Sequence, residues 1–273
     1  MPSTHLLTDR PPARPRPRAS GADAWFPDQR AARDGRLPLI CLPYAGGTAS
    51  IYRDWAGELG PDVHVVPVLL PGRGLRGREE PYTSMRPLAQ DLAAAIAERG
   101  LAAGRYALFG HSMGALVAYE VACRLRSLGL PEPAHLFVSG SKAPHMYGDR
   151  ADHLLADPQL RQLVRDLGGL GPDEVTGEAY LLHRLPVLRA DLTVCDRYRW
   201  TPRPPLRCPA TALGASGDPI ATAAQIDAWR EHTTGSLLRR ELTGGHFYLT
   251  GPARPRLLAE LRRDLAPLTA AED

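Results

Sequence analysis

Between an apolar run at 106–109 and an amphipathic stretch at 115–126, the chain reads Gly110-His111-Ser112-Met113-Gly114. The run suits a buried strand, and the stretch that follows repeats its apolar residues at helical spacing. Five residues must therefore turn the chain from strand into helix. So sharp a turn crowds the backbones on either side of it, and glycines must flank the serine because side chains there would collide. The same turn lifts the serine hydroxyl clear of the sheet edge, which is the arrangement of a nucleophile elbow. G-x-S-x-G alone recurs by chance in many turns; its flanking elements are what give it weight. Ser112 is the candidate nucleophile.

The rest of the chain supplies a sheet for such an elbow. Short continuous apolar runs at 37–42, 63–70, 106–109, 136–139 and 210–213 read as buried parallel strands. They alternate with helical patterns at 52–59, 85–99, 115–126 and 222–232, the order expected of a doubly wound α/β sheet. A strand near 237–242 and a helix at 255–265 close it. The spacing breaks once: about 70 residues separate the strand ending near Ser139 from the one starting near Pro209, far more than a crossover helix needs. Helical candidates at 158–167, 177–182 and 186–198 fill that gap and predict an inserted helical lid at about 141–200. A lid over a site shapes a pocket and excludes water.

At 273 residues the chain fits one large α/β domain. Residues 1–36 contain a Pro/Arg-rich run at 10–18 with little to bury, and are expected to form a flexible tail, with 37–273 as the domain. The net charge of +3 comes from this tail, whose seven arginines face four aspartates; 26 basic and 26 acidic residues remain for 37–273. A neutral body argues against nucleic acid as the ligand, since phosphate binding needs a clustered positive field. Cys41, Cys123, Cys195 and Cys208 have neither metal-type nor framework spacing and read as reduced thiols of a cytoplasmic protein. No apolar run approaches the roughly 20 residues of a membrane span.

A serine hydroxyl is a poor nucleophile at neutral pH, so Ser112 needs a base in hydrogen-bond reach and a carboxylate to fix that base's tautomer. Elbow hydrolases order these Ser, acid, His along the chain. His246, in Thr243-Gly244-Gly245-His246-Phe247, follows the last expected strand and is the candidate base. His111 adjoins the serine but must point another way, and the remaining histidines read as structural or solvated. The acid should sit on the loop after the strand that precedes the histidine's strand, where Asp218, after the 210–213 strand, is the candidate; Asp191 and Asp196 fall in the lid, ahead of that strand. An oxyanion needs backbone donors. Met113 N–H, directly after the nucleophile, is one, and the loop Pro43-Tyr44-Ala45-Gly46-Gly47 offers a second, with Ala45 the expected donor. Charges in the stretch 71–78, Pro-Gly-Arg-Gly-Leu-Arg-Gly-Arg, read as solvated. No cluster has metal-ligand spacing, and no G-x-G-x-x-G follows a strand.

With these positions placed, the chain resembles the stand-alone type II thioesterases of polyketide and non-ribosomal peptide assembly lines. The resemblance runs from about Leu39 to Leu249 and rests on 42–47, 70–74, 108–115, 139–145, 185–191 and 244–247. It implies an α/β-hydrolase fold, a mostly parallel central sheet flanked by helices with an inserted lid. It implies an editing hydrolase that removes stalled or wrong acyl groups from the phosphopantetheine thiol of a carrier protein. Ser112, Asp218 and His246 match the family's triad. Neither metal nor diffusible cofactor is expected, the carrier is a transient partner, and the family suggests a monomer. Two other readings share the residues: a carboxylesterase or lipase acting on free esters, and a non-catalytic binding protein on a hydrolase scaffold.

Overall fold

The computed structural model describes residues 21–27, 35–170 and 174–270. Six strands, β1 (Leu37–Leu42), β2 (Val63–Pro67), β3 (Ala107–His111), β4 (His135–Ser139), β5 (Ala210–Ala215) and β6 (Leu237–Leu242), form one sheet. Their order is β2-β1-β3-β4-β5-β6, and all five pairings are parallel. Register places Cys41 beside Phe109 and Phe109 beside Phe137. The chain enters at β1, steps outward to β2, then returns past β1 to β3. That reversal opens a crevice at the strands' carboxyl ends, where open α/β sheets bind ligands. The loop 43–47 leaves β1 there, and Ser112 leaves β3.

Helices cover both faces. They are α1 (Trp55–Leu59), α2 (Met85–Glu98), α3 (Met113–Ser127), α4 (Asp157–Asp166), α5 (Glu174–Asp196), α6 (Ala223–Asp227) and α7 (Arg254–Thr269). Successive strand residues point to opposite faces. Ile40 and Leu42 therefore pack with Leu108, Val138 and the apolar sides of α2 and α3. Leu39 and Cys41 join Phe109, Phe137, Trp55 of α1 and Leu257 and Leu261 of α7. Because β1, β3, β4 and β5 are buried on both faces, their sequences run apolar without alternation. Among the described residues no helix is long and apolar enough to cross a membrane.

Three expectations are corrected. Residues 21–27, assigned to the tail, are packed: Trp25 and Phe26 are buried, and Leu69 N–H donates to the Trp25 carbonyl at 2.7 Å. Two large aromatic side chains have apolar surface to bury, which the Pro/Arg composition nearby conceals. The remainder of that tail, 1–20 and 28–34, lies outside the described residues. The patterns at 52–59 and 222–232 each split into an α-helix and a 3₁₀ turn, Ala49–Tyr52 before α1 and Ala228–His232 after α6. Conversely, the lid patterns at 177–182 and 186–198 are one helix, α5, with Pro186 in its interior. Pro186 faces solvent, while Leu185 and Leu188 pack inward with Leu160 and Leu181. Tertiary contact on the inner face overrides the local break.

Candidate active site

Ser112 has φ 55° and ψ −120°, and among the described residues no other non-glycine has positive φ. The surrounding structure holds this strained backbone in place. Ser112 N–H donates to the Ser139 carbonyl at 2.8 Å, and the Ser112 carbonyl accepts from Ala115 N–H at 3.0 Å. The serine thus sits at the N-terminus of α3, half-buried, above the β3–β4 edge.

The other two expected residues meet each other. His246 donates from Nδ1 to Asp218 Oδ2 at 2.8 Å, with both side chains almost wholly removed from solvent. Two loops bring them together: Asp218 follows β5, His246 follows β6, and Gly217 N–H bonds the Gly244 carbonyl at 3.0 Å. The second carboxylate oxygen, Oδ1, accepts from Ile220 N–H at 3.0 Å, so both oxygens have assigned partners. With its Nδ1 proton given to the carboxylate, His246 keeps Nε2 as an acceptor, the tautomer a base requires. Ser112 and His246 line the same cavity.

His111 lies behind His246, its ring centroid 5.0 Å from that imidazole. His111 Nδ1 bonds Ser139 Oγ at 2.9 Å, Ser139 bonds the Tyr248 hydroxyl, and that hydroxyl donates to the Leu213 carbonyl at 3.2 Å. Read back from the carbonyl, each hydroxyl spends its proton forward, which makes Nδ1 of His111 the donor. Burial holds His111 well below the usual imidazole pKa, and nearby His246 opposes its charge as well.

The cavity measures about 380 Å³. Ser112, His246, Tyr44, Ala45 and Gly46 line it together with Leu160, Leu163, Val164 and Leu167 from α4 and its C-cap, Leu181, Leu188 and Leu192 from α5, and Phe247. On α4 those residues recur at helical spacing, an apolar stripe turned onto the site. The inserted segment is thus a wall of this chamber. A larger groove of about 820 Å³ runs between α2, α3 and the end of α5, and none of the expected site residues line it.

Two acidic residues of α5 are engaged elsewhere. Asp196 accepts from His153 N–H at 2.9 Å and from its Nδ1 at 2.8 Å. Asp191 pairs with Arg73, at 2.7 Å to each of its oxygens. Arg73 and Arg76 correct the reading of the 71–78 charges as solvated, for both are buried. Arg76 binds Glu79 at 2.8 Å and stands 4.5 Å from the centre of the Trp25 ring. Charged groups are buried only when paired, and sequence shows the charge without its partner.

A central parallel sheet, an elbow serine after β3 and a helical insertion after β4 define an α/β-hydrolase. The chain belongs to the thioesterase domain family, whose profile matches residues 37–265, and it is a thioester hydrolase. It is 39% identical over 230 residues to linear gramicidin dehydrogenase LgrE of Brevibacillus parabrevis, covering 82% of this chain and 86% of that protein. The dehydrogenase of that name describes that protein alone. The thioesterase PikA5 of Streptomyces venezuelae is 37% identical, covering 86% of this chain and 83% of its own. Among solved structures, RedJ, a thioesterase of the prodiginine biosynthetic pathway in Streptomyces coelicolor, superposes with a TM-score of 0.83 at 56% identity. That match covers 95% of this chain and 98% of RedJ.

Proposed function

We propose that Ser112, His246 and Asp218 form a catalytic triad, and that the protein hydrolyses acyl thioesters carried on the phosphopantetheine arm of acyl or peptidyl carrier proteins. Its role is editing: removal of stalled or wrong acyl groups in polyketide or non-ribosomal peptide biosynthesis. The observation that carries the reading is the buried His246–Asp218 hydrogen bond, 2.8 Å long, with His246 and Ser112 lining one largely apolar chamber.

Ser112 Oγ attacks the thioester carbonyl while His246 Nε2 takes its proton, and Asp218 orients the ring and offsets the imidazolium charge. Ala45 and Met113 N–H groups receive the oxyanion. His246 then protonates the leaving pantetheine thiolate, which frees the carrier and leaves an acyl-serine. Water, activated by the same imidazole, adds to that ester and releases a carboxylic acid and the serine. These steps balance without metal or diffusible cofactor. The chain acts in the cytoplasm as a monomer and meets the carrier transiently.

The test is mass spectrometry of butyryl-loaded carrier protein incubated with wild type or Ser112→Ala, beside butyryl-N-acetylcysteamine. Loss of the acyl mass with wild type only, faster from carrier than from the small thiol, is expected. Survival of the loaded carrier while free esters are cleaved would move the protein to the general esterases.

A further inference from the structure

The 44–47 turn is held from outside itself. Gly47 N–H bonds the Tyr44 carbonyl at 2.8 Å, Gly46 has φ +76° and Ala45 does not share that sign, which makes a type II turn with glycine third. Types I and II differ by rotation of the central peptide, whose N–H is that of Gly46. That N–H donates to Asp191 Oδ2 at 2.7 Å. The Gly46 carbonyl accepts from Arg184 Nη2 at 2.9 Å and the Gly47 carbonyl from Arg73 Nη1 at 3.1 Å. Arg184 and Asp191 both belong to the lid helix α5, so a turn at the end of β1 is fixed by side chains more than 130 residues away.

Arg73 and Asp191 meet through two parallel hydrogen bonds, and their side chains are 1% and 4% exposed. Arg73 Nε also reaches the Pro71 carbonyl at 3.2 Å. Burying two charges is expensive, and a well-packed apolar pair commonly serves stability as well. An apolar pair could not accept from Gly46 N–H or donate to the Gly47 carbonyl. The specific gain from the ion pair is therefore the geometry of the turn.

We propose that Arg73 and Asp191 are positioning residues for thioester hydrolysis: they hold the central peptide of the 44–47 turn, and through it the aim of Ala45 N–H, so that α5 is a working part of the oxyanion hole as well as a chamber wall. This rests on the assignment of Ala45 as a donor in the proposed function. Ala45 N–H belongs to the adjoining 44–45 peptide; without Asp191 the turn loses the acceptor that fixes Gly46 N–H, the loop relaxes as a whole, and Ala45 N–H loses its direction with it. A donor misplaced by about 1 Å costs on the order of 10²-fold, comparable to removing it.

The experiment measures kcat and KM for butyryl-N-acetylcysteamine in wild type, Asp191→Asn and the double variant Arg73→Met/Asp191→Leu, each normalised to active sites by fluorophosphonate titration. In parallel, the inhibition constant of a trifluoromethyl ketone thioether, whose serine adduct places an oxyanion at the same site, is determined. We expect kcat to fall about 10- to 100-fold, KM to stay within about threefold, and the ketone to weaken by the same factor as kcat/KM. A purely structural role would lower the titrated fraction and leave per-site constants unchanged. Folded variants with per-site kcat and ketone affinity within twofold of wild type would overturn the proposal. So would a double variant that cannot fold, since it would assign the pair to stability. A wild type inert toward the thioester would instead count against the proposed function.

Discussion

A β-carbon added at Gly110 would lie 2.1 Å from the carbonyl oxygen of Gly114, and one added at Gly114 would lie 2.2 Å from the carbonyl oxygen of Leu42. The two glycines thus let strand, elbow and helix pass at backbone contact, and backbone cannot yield as a flexible side chain can. Gly110→Ala and Gly114→Ala should each destabilise the fold by more than about 4 kcal/mol, in the tail reserved for strain at special backbone sites. Urea denaturation checks this. A wild-type midpoint in either variant would mean that the elbow is wider than described.

Asp218→Asn should cost on the order of 10³- to 10⁴-fold in kcat/KM, for a reason visible in the partners of the carboxylate. Ile220 N–H donates to Oδ1 and selects the carbonyl oxygen of an introduced amide at that position. The amide NH₂ then faces Nδ1 of His246, forces that nitrogen to accept, and puts the imidazole proton on Nε2 where the base must be empty. Steady-state kinetics between pH 7 and 9 tests it. A loss smaller than tenfold would place the working acid elsewhere.

How much of this was legible follows from which interactions are local. The elbow could be read because five consecutive residues carry its whole steric requirement. β1, β3, β4 and β5 could be read because burial on both faces leaves an unbroken apolar run. His246 and Asp218 each follow a strand, so order along the chain indicated their positions. The Arg73–Asp191 pair has no such local signal, since its members are 118 residues apart and a charge in a glycine-rich loop reads as solvated until its partner is seen. Both do lie in stretches that carry the family resemblance, 70–74 and 185–191, which was the available pointer. Trp25 and Phe26 were hidden by the composition around them. Pro186 misled because its effect on a helix depends on which side faces solvent.

Chain-length preference should be set by the α4 and α5 wall. Leu163 is half-buried on the stripe that lines the cavity, and Leu163→Trp adds a large rigid group to a space of about 380 Å³. Octanoyl-N-acetylcysteamine turnover is expected to fall at least tenfold while acetyl turnover stays within about twofold, an effect of pocket size worth about 1–3 kcal/mol. Equal losses for both substrates would show that the acyl chain does not enter this cavity.

Stability should fall in mildly acidic solution, and three buried histidines set the window. Burial lowers His135 and His232 from 6.5 to about 4 and holds His111 well below 6.5. Around His135, Asp264 opposes the shift and Arg240 adds to it; around His232, His145 and Arg203 add to it. His135 Nε2 donates to Thr211 Oγ1, whose own proton goes to Asp264 Oδ2. In the unfolded chain these rings take up protons below about pH 6.5, whereas in the folded chain His135 and His232 refuse them until about pH 4. The unfolded state then binds more protons, so the histidine contribution is whole above pH 6.5 and shrinks as pH falls toward 4. His135 and His232 bring the slope near pH 5.5 close to two protons, each worth about 1.4 kcal/mol per pH unit, and His111 adds to it. Urea unfolding from pH 7.5 to 5 measures it, and His135→Gln should remove about one proton from the slope. A free energy of unfolding that is flat across that range would mean that these rings are protonated in the fold.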